Sequence, residues 1–283
     1  MEFNVRLRNG QVLRGMIKSP GDHIKAVVIL VHGLGEHIRR YEQWAGLFNT
    51  EGIGFTGVDL PGHGLSDGAR GRIRSYNLLT DMIDILISEC RKTFPGLPVF
   101  LYGHSLGGAI VANYLLKKKP LIKGAIITSP WLRLSFEPPA SKRIIASVAS
   151  FIMPGLIQPS GLQVAHLSHD PEVVKAYSED PLVHDKISVR LFHDTCSAAS
   201  SALLNASKLQ TPLLLMHGSD DMICSVEGTR EFARQTRMAE LKIWEGAYHE
   251  LHNEPVREEV FRYIIGWIER RMQGAESKGQ SKA

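Results

Sequence analysis

The sequence lacks the features that mark membrane-spanning, secreted and disulfide-rich proteins. No apolar run reaches the roughly 18 residues needed to cross a bilayer. The start, Met1–Leu7, alternates apolar and polar residues and has no apolar core of a signal peptide. The three cysteines lie at unrelated spacings, which favours neither a disulfide framework nor a zinc knuckle. These absences predict a protein of the reducing cytoplasm, with at most peripheral membrane contact.

Strong charge of one sign and metal-ligand spacing are missing as well. The formal net charge is +4 over 283 residues. The densest basic stretch, at Arg70, Arg72 and Arg74, has no interleaved aromatic residues and no known binding motif, so we expect no nucleic-acid partner. None of the twelve histidines is spaced with cysteine or carboxylate partners as metal ligands are. We therefore expect no metal and no cofactor.

The apolar runs that are present predict an α/β fold. Phe3–Arg8 and Gln11–Lys18 flank Asn9-Gly10, a strong hairpin signal. Further short runs, each bounded by glycine or proline, read as buried strands: Ala26–Val31, Phe55–Leu60, Val99–Tyr102, Ala125–Thr128, Leu213–Met216 and Leu241–Trp244. Helix-length segments such as Tyr76–Thr93 and Val226–Arg237 lie between some of them. This alternation indicates a mostly parallel, doubly wound sheet flanked by helices.

The alternation stops between Trp131 and Leu209, where prolines punctuate helical segments and no strand is predicted. Such an insertion follows one strand end and precedes the next, so it should cover the carboxyl edge of the sheet, where α/β enzymes bind ligands. We predict a core of residues 1–131 and 207–273, a helical lid of residues 132–206, and a flexible tail of residues 274–283.

The motif that carries most chemical information is Gly103–Gly108, a Gly-x-Ser-x-Gly pattern between a strand and a helix. A nucleophilic serine on this tight turn needs glycine at the flanking positions, because larger side chains would collide there. Ser105 is therefore the predicted nucleophile. The helix start also directs the backbone N–H of Leu106, and the helix dipole, towards the developing oxyanion.

A second oxyanion donor is expected from the loop after an earlier strand. The His-Gly-x-Gly segment His32–Gly35 follows Ala26–Val31 and lies upstream of the nucleophile. The backbone N–H of Leu34 is the candidate.

The base and the acid should follow the serine in the order acid, then histidine. Asp220 and Asp221 follow the strand at Leu213–Met216, but neighbouring side chains on a short turn diverge, so only one can face an imidazole. We favour Asp221, which comes four residues after His217. His249 follows the last predicted strand and is the predicted base.

Five motifs together resemble the monoacylglycerol lipase and lysophospholipase-like group of α/β-hydrolases, over about residues 28–268. They are His32–His37, Asp59–Ser66, Gly103–Gly108, Gly218–Asp221 and Gly246–His249. The resemblance implies the α/β-hydrolase fold with a mostly parallel eight-stranded sheet and a helical lid. It also implies a Ser105–Asp221–His249 triad and an oxyanion hole formed by Leu34 and Leu106.

The same resemblance implies roles for four more residues. Glu36, Arg40 and His252 occupy positions associated with the polar pocket for a glycerol head group. Cys224 matches a cysteine near the active site of the animal lipases, although a buried structural thiol is an equally good interpretation.

We therefore expect a serine hydrolase of medium- or long-chain acyl esters, with monoacylglycerol as substrate. A lysophospholipase or a general carboxylesterase is the alternative. A prolyl-type aminopeptidase would need lid carboxylates for the substrate amine, such as Glu172 and Glu179, and a non-catalytic binding module would be expected to have lost a triad member. The apolar segment Arg143–Met153 either contacts a membrane or micelle surface or packs onto the core.

Overall fold

An eight-stranded sheet organises the molecule and places the predicted motifs along one edge. The computed structural model describes residues 1–21, 23–136 and 151–276. The sheet has the strand order β1-β2-β4-β3-β5-β6-β9-β10. Its strands are β1 Glu2–Arg6, β2 Val12–Lys18, β3 Ala26–Val31, β4 Ile53–Val58, β5 Val99–His104, β6 Gly124–Thr128, β9 Leu213–Gly218 and β10 Ala239–Trp244.

Strand directions follow the sequence pattern. β1 and β2 form the predicted antiparallel hairpin, and β2 is also antiparallel to β4. From β4 to β10 every neighbouring pair is parallel. The central strands β3 to β6 are buried along their whole length, as their continuous apolar runs require. The fold is the mostly parallel doubly wound sheet expected from the sequence.

Helices cover both faces of the sheet and divide the apolar core into two layers. One layer contains α2 Asn77–Thr93, α3 Leu106–Lys118, α5 Val189–Asn205 and α6 Val226–Arg234. The other contains α1 Glu42–Thr50 and α7 Arg257–Glu276. β3 lies between β4 and β5, so the chain leaves β3 towards one side and returns on the other. This is the switch point at which α/β sheets open a ligand crevice.

The inserted region contains a short two-stranded ribbon that the sequence pattern does not predict. β7 Ile157–Pro159 pairs antiparallel with β8 Lys186–Ser188. The expectation of no strand between Trp131 and Leu209 is therefore wrong for these residues. Three residues are too few to establish an alternating pattern, and Pro159 is acceptable only because the ribbon is an edge. Helix α4 Pro171–Glu179 lies between the two strands in sequence.

Helix α5 lies within the predicted lid in sequence, but it packs against the core. Leu191, Ala198 and Ala202 belong to the same buried cluster as α3. The Asn113 amide of α3 donates a hydrogen bond to the Ala198 carbonyl, at 3.4 Å. We propose that the lid ends at about residue 188 rather than 206. The predicted tail begins inside α7, which continues to Glu276; residues 277–283 lie outside the described residues.

A group of apolar side chains is exposed on the lid, near the residues that are not described. Phe136, Phe151, Ile152, Met153 and Leu156 all have large exposed fractions, with Phe151 at 90%. Most of the predicted apolar segment Arg143–Met153 lies outside the described residues. In the described part of the chain, no helix has both the length and the apolar character to traverse a bilayer.

Candidate active site

Ser105 occupies a strained turn between β5 and α3. Its backbone has φ 54° and ψ −117°, and it is one of three non-glycine residues with positive φ in the described chain. The turn is held by a hydrogen bond from the Ser105 N–H to the Thr128 carbonyl of β6, at 3.1 Å. A Cβ on Gly107 would lie 1.9 Å from the Val31 carbonyl oxygen. Glycine there lets α3 begin against the end of β3, which explains the spacing of the motif.

Asp221 and His249 meet at the ends of β9 and β10. Asp221 Oδ2 is 2.7 Å from His249 Nδ1, and both side chains are buried. Burial raises the pKa of Asp221, but His249 and His217 outweigh it and hold that pKa well below its usual range. Burial lowers the pKa of His249, but Asp221 more than offsets this and the pKa is raised. Asp220 is exposed and accepts a hydrogen bond from Ser219 instead.

The nucleophile and the Asp221–His249 pair belong to one cluster of contacts. The Ser105 side chain is a neighbour of the Cys224 thiol. The Cys224 N–H in turn donates to Asp221 Oδ1, at 2.9 Å. His104, next to the serine, packs its ring against the His249 ring, with 4.9 Å between centroids. The structure thus brings Ser105, Asp221 and His249 to the same end of the sheet.

The Cys224 thiol is buried within this cluster. Burial, followed by the nearby Asp221 carboxylate, raises the pKa of the Cys224 thiol well above its ordinary value. A thiol in this environment stays protonated at neutral pH. These observations favour the interpretation of Cys224 as a packed structural thiol.

The loop after β3 lies against the serine. A Cβ on Gly33 would meet the Ser105 Cβ at 3.2 Å. The Gly33 N–H donates to Glu36 Oε1, at 2.5 Å, which fixes the loop. Among the described residues, the N–H groups of Leu34 and Leu106 have no hydrogen-bond acceptor. Leu106 follows Ser105 in the chain, and Leu34 follows Gly33, so both N–H groups remain candidate oxyanion donors.

Glu36 and Arg40 form a buried ion-pair network with Glu250. Arg40 binds both carboxylate oxygens of Glu250, at 2.7 and 2.8 Å, and Glu36 Oε2, at 2.7 Å. Burial raises the pKa of Glu250, but Arg40 outweighs it and keeps that pKa well below its usual range. Because Glu36 also accepts a hydrogen bond from the Gly33 N–H, the network supports the loop after β3. The charged groups of Glu36, Arg40 and Glu250 therefore bind mainly to one another.

His252 differs from the other two predicted head-group residues. It is buried and stacks on the Tyr41 ring, with 4.5 Å between centroids. Neither of its ring nitrogens has a hydrogen-bond partner in the described structure. Burial lowers the pKa of His252 to about 4. Of the three residues, His252 has the most hydrogen-bonding capacity left for a ligand or water.

The inserted region is tied to the loops that follow β3 and β10. His37 Nε2 is 2.8 Å from Asp180 Oδ2, and the His184 N–H donates to the Gly35 carbonyl, at 2.9 Å. The His169 N–H donates to the buried Glu254 carboxylate, at 2.7 Å, beside the loop that carries His249. These contacts position the described part of the lid over the carboxyl edge.

Sequence reasoning missed two residues of the site. Glu250 pairs with Arg40 across 210 positions, and no local pattern signals such a pair. His217 lies 2.9 Å from Asp221 Oδ2. The sequence did contain a signal for His217, because it is the first residue of the His-Gly-x-x-Asp pattern that led us to favour Asp221. We used that pattern only for the spacing between the two residues and assigned no role to His217.

Comparison with known proteins gives a consistent family. The family model described as serine aminopeptidase, S33 matches residues 22–256, which is most of the chain. An abhydrolase domain-containing protein of Dictyostelium discoideum is 36% identical over 90% of this chain, which spans only 27% of that relative's length. Phospholipase YtpA of Bacillus subtilis is 34% identical, over 85% of this chain and 94% of the relative.

Two further comparisons extend to nearly full length. Human monoglyceride lipase is 32% identical over 93% of this chain and 88% of its own. Among solved structures, the monoacylglycerol lipase of Paleococcus ferrophilus is 36% identical, covers 92% of this chain and 99% of its own, and superimposes with a TM-score of 0.84.

Proposed function

The chain belongs to the serine aminopeptidase S33 family of hydrolases, and from that premise we propose that it hydrolyses carboxylic esters with a Ser105–Asp221–His249 triad. The observation that carries the proposal is the buried Asp221–His249 pair, at 2.7 Å, whose imidazole packs against His104, the residue before Ser105 on the strained turn. A serine hydroxyl is a weak nucleophile until a neighbouring base removes its proton, and this arrangement supplies an oriented base.

In the proposed mechanism, His249 takes the proton of Ser105 as its oxygen attacks the ester carbonyl. The carbonyl oxygen becomes an oxyanion that accepts hydrogen bonds from the Leu34 and Leu106 N–H groups. His249 then returns the proton to the leaving alcohol, and an acyl-enzyme forms on Ser105. Water deprotonated by His249 attacks the acyl group, the Ser105 oxygen leaves with the proton, and the fatty acid is released.

We propose monoacylglycerol as the substrate, cleaved to glycerol and a fatty acid. Support comes from the names of two relatives that match over nearly the whole chain, the human and the Paleococcus ferrophilus enzymes. Within the site, we propose that His252 contacts the head group, because both ring nitrogens are unpartnered. Glu36 and Arg40 act through the loop that they support. The three free cysteines fit the expected cytoplasmic location.

A lysophospholipid is the second candidate substrate, favoured by the similarity to the phospholipase of Bacillus subtilis. The aminopeptidase alternative has less support. Glu172 and Glu179 are exposed on α4, while Glu36 and Glu250 are both paired with Arg40. None of these four carboxylates is free to hold a substrate amine inside the site.

The test is the release of fatty acid from monoacylglycerols of graded chain length, beside a lysophospholipid and a proline anilide. We expect the monoacylglycerol to be cleaved with the highest kcat/KM. Ser105→Ala should lower kcat by about four to six orders of magnitude, whereas Ser88→Ala, on the exposed surface of α2, should not. Preferred cleavage of the anilide, or an active Ser105→Ala variant, would refute the proposal.

We also propose that the exposed apolar group on the lid contacts a lipid surface. Phe151 and Ile152 are 90% and 73% exposed, and apolar side chains on such a surface gain free energy by leaving water. A water-insoluble ester would then be met at its own interface.

A further inference from the structure

The Asp221 carboxylate has a second imidazole beside it, in addition to the one that a triad requires. Oδ1 accepts from the N–H groups of Ile223 and Cys224, at 2.8 and 2.9 Å. Oδ2 faces His249 Nδ1, at 2.7 Å, and also His217 Nε2, at 2.9 Å. Each oxygen therefore has two nitrogen atoms within 2.9 Å. A single imidazole is enough for the triad itself, so the second imidazole needs an explanation.

The surroundings of His217 determine which of its nitrogens carries the proton. Its Nε2 lies 2.9 Å from Asp221 Oδ2 and 3.0 Å from the Cys224 carbonyl oxygen. Both neighbours are acceptors, so Nε2 carries the hydrogen. Its hydrogen bond is to the Cys224 carbonyl oxygen, and Asp221 Oδ2 is its second neighbour. Its Nδ1 is 2.7 Å from Thr229 Oγ1, whose hydroxyl can donate to it. The ring is fully buried and near the end of β9, so it has a single supported orientation.

We propose that His217 is a positioning residue, which holds the Asp221 carboxylate in the orientation that presents Oδ2 to His249. The inference rests on the proposed serine-hydrolase function. Thr229, on α6, orients the His217 ring through Nδ1. The Nε2 side of the same ring faces the Asp221 carboxylate and orients it. The catalytic acid is thereby anchored to a strand and a helix rather than to its loop alone. Preorganisation of this kind keeps a catalytic group in its productive geometry before the substrate binds.

The shared oxygen also gives the proposal a distinctive electrostatic signature. A donor at Oδ2 withdraws negative charge that would otherwise act on His249. The other charged or titratable groups that influence His249 are Glu250 and His252 of its own loop, Glu36 of the loop after β3, and His104 at the end of β5. None of these changes when His217 is replaced. Loss of the donor should therefore raise the pKa of His249, provided that Asp221 stays in place.

The test compares two replacements of His217. His217→Gln keeps an N–H group near the position of Nε2, and the amide has two hydrogens for the two acceptors. His217→Leu keeps the bulk and removes the donor. Thr229→Val removes the hydroxyl that orients the ring, with Thr229→Ser as its matched control. Each purified variant is assayed for kcat and KM across pH, for melting temperature, and for the downfield proton signal of the His249–Asp221 hydrogen bond.

We expect His217→Leu to lower kcat about 10- to 100-fold, the value of one hydrogen bond to a charged group. KM should stay unchanged, because the buried ring cannot touch substrate. The acid limb of the kcat/KM profile should move to higher pH and the downfield signal should shift. His217→Gln should recover most of kcat, and Thr229→Val should show a smaller loss than His217→Leu, with Thr229→Ser close to wild type.

Two outcomes would overturn the proposal. Folded His217→Leu with wild-type kcat and pH profile would show that the second donor is dispensable. An acid limb that moves to lower pH, or equal losses in the Gln and Leu variants, would show that the residue acts through packing alone. If His217→Leu does not fold, the Gln and Thr229 variants decide. Wild-type protein that hydrolyses no ester would instead refute the proposed function, and the proton signal would still report on the positioning.

Discussion

At the residue scale, the site depends on a few side chains whose properties are set by burial. Ser105 has a backbone conformation that most residues avoid, with φ 54°. Asp221 and His249 are removed from water, so each depends on the other for its charge state. Cys224 is a neighbour of Ser105, and its backbone N–H donates to the Asp221 carboxylate. Chemistry of this kind is sensitive to pH in a direction that the geometry predicts.

The pH dependence of catalysis follows from the raised pKa of His249. Asp221 favours the protonated imidazole, and only the neutral imidazole can accept the Ser105 proton. Activity should therefore be lost as pH falls through a value above about 6.5, the ordinary pKa of histidine. The measurement is kcat/KM against pH with a short-chain ester. Asp221→Asn should lower kcat and shift the acid side of the pH profile to lower pH. A wild-type profile whose acid side has its midpoint below about pH 6.5 would contradict the assignment.

Single residues differed in how far the sequence could predict them. Ser105 was predictable, because the requirement for glycine around the turn is local. The choice of Asp221 over Asp220 depended on a spacing rule, and the structure brings Asp221 to His249. The Arg40–Glu250 pair was not predictable, because it joins loops that only the folded sheet brings together.

At the element scale, the start of α3 is the most constrained part of the fold. A Cβ on Gly107 would lie 1.9 Å from the Val31 carbonyl oxygen, so the helix could not approach β3. In α1, a Cβ on Gly46 would meet nothing within 4 Å. The two helical glycines form a matched pair for one experiment.

Gly107→Ala should destabilise the protein by about 2–4 kcal/mol, or prevent folding, and abolish esterase activity. Gly46→Ala should be neutral or stabilise it by up to about 1 kcal/mol, because alanine favours the helix. Urea denaturation and an ester assay provide the measurements. Equal behaviour of the two variants would show that the contact between α3 and β3 is not a constraint.

The exposed apolar group on the lid gives the second prediction at this scale. Phe151→Asp should reduce co-sedimentation with neutral phospholipid vesicles and raise KM for an emulsified monoacylglycerol, while leaving kcat/KM for a water-soluble short ester unchanged. The control is Leu121→Asp, because Leu121 is 88% exposed but follows α3 and lies outside the lid. Equal vesicle binding by both variants and the wild type would exclude the lid as the contact.

Elements were predicted well where the pattern was long. The apolar runs of the central strands identified β3 to β6, since a strand buried on both faces has few polar positions. β7 and β8 were missed, because three residues give no period. Helix α5 was assigned to the lid, although its apolar face packs on α3. Amphipathicity predicts that a helix is buried on one side but not which partner covers it.

At the scale of the whole molecule, buried histidines should govern acid stability. Burial lowers the pKa of five of them: His32, His63, His104, His184 and His252. The pKa values of His184 and His252 fall to about 4. Below a pH of about 6.5 the unfolded chain binds protons at these positions that the folded chain does not. The free energy of unfolding therefore decreases as the pH is lowered. His249, whose pKa is raised, acts in the opposite direction.

The free energy of unfolding should therefore decrease between pH 7 and pH 5. His252 alone contributes about 2 kcal/mol of that decrease, from its shift to about 4. Urea denaturation at pH 7, 6 and 5 measures it. His252→Gln should flatten the dependence, and His23→Gln, at an exposed position, should not. A stability that rises or stays level towards pH 5 would contradict the histidine assignments.

The central claim is that the Ser105 hydroxyl is activated by His249 and Asp221, and the most direct test is covalent labelling by a fluorophosphonate. Peptide mass spectrometry should locate one adduct on Ser105 in the wild type. His249→Ala and Asp221→Ala should label far more slowly, whereas His23→Ala should label at the wild-type rate. An adduct on another residue, or an undiminished rate on Ser105 without His249, would contradict the account.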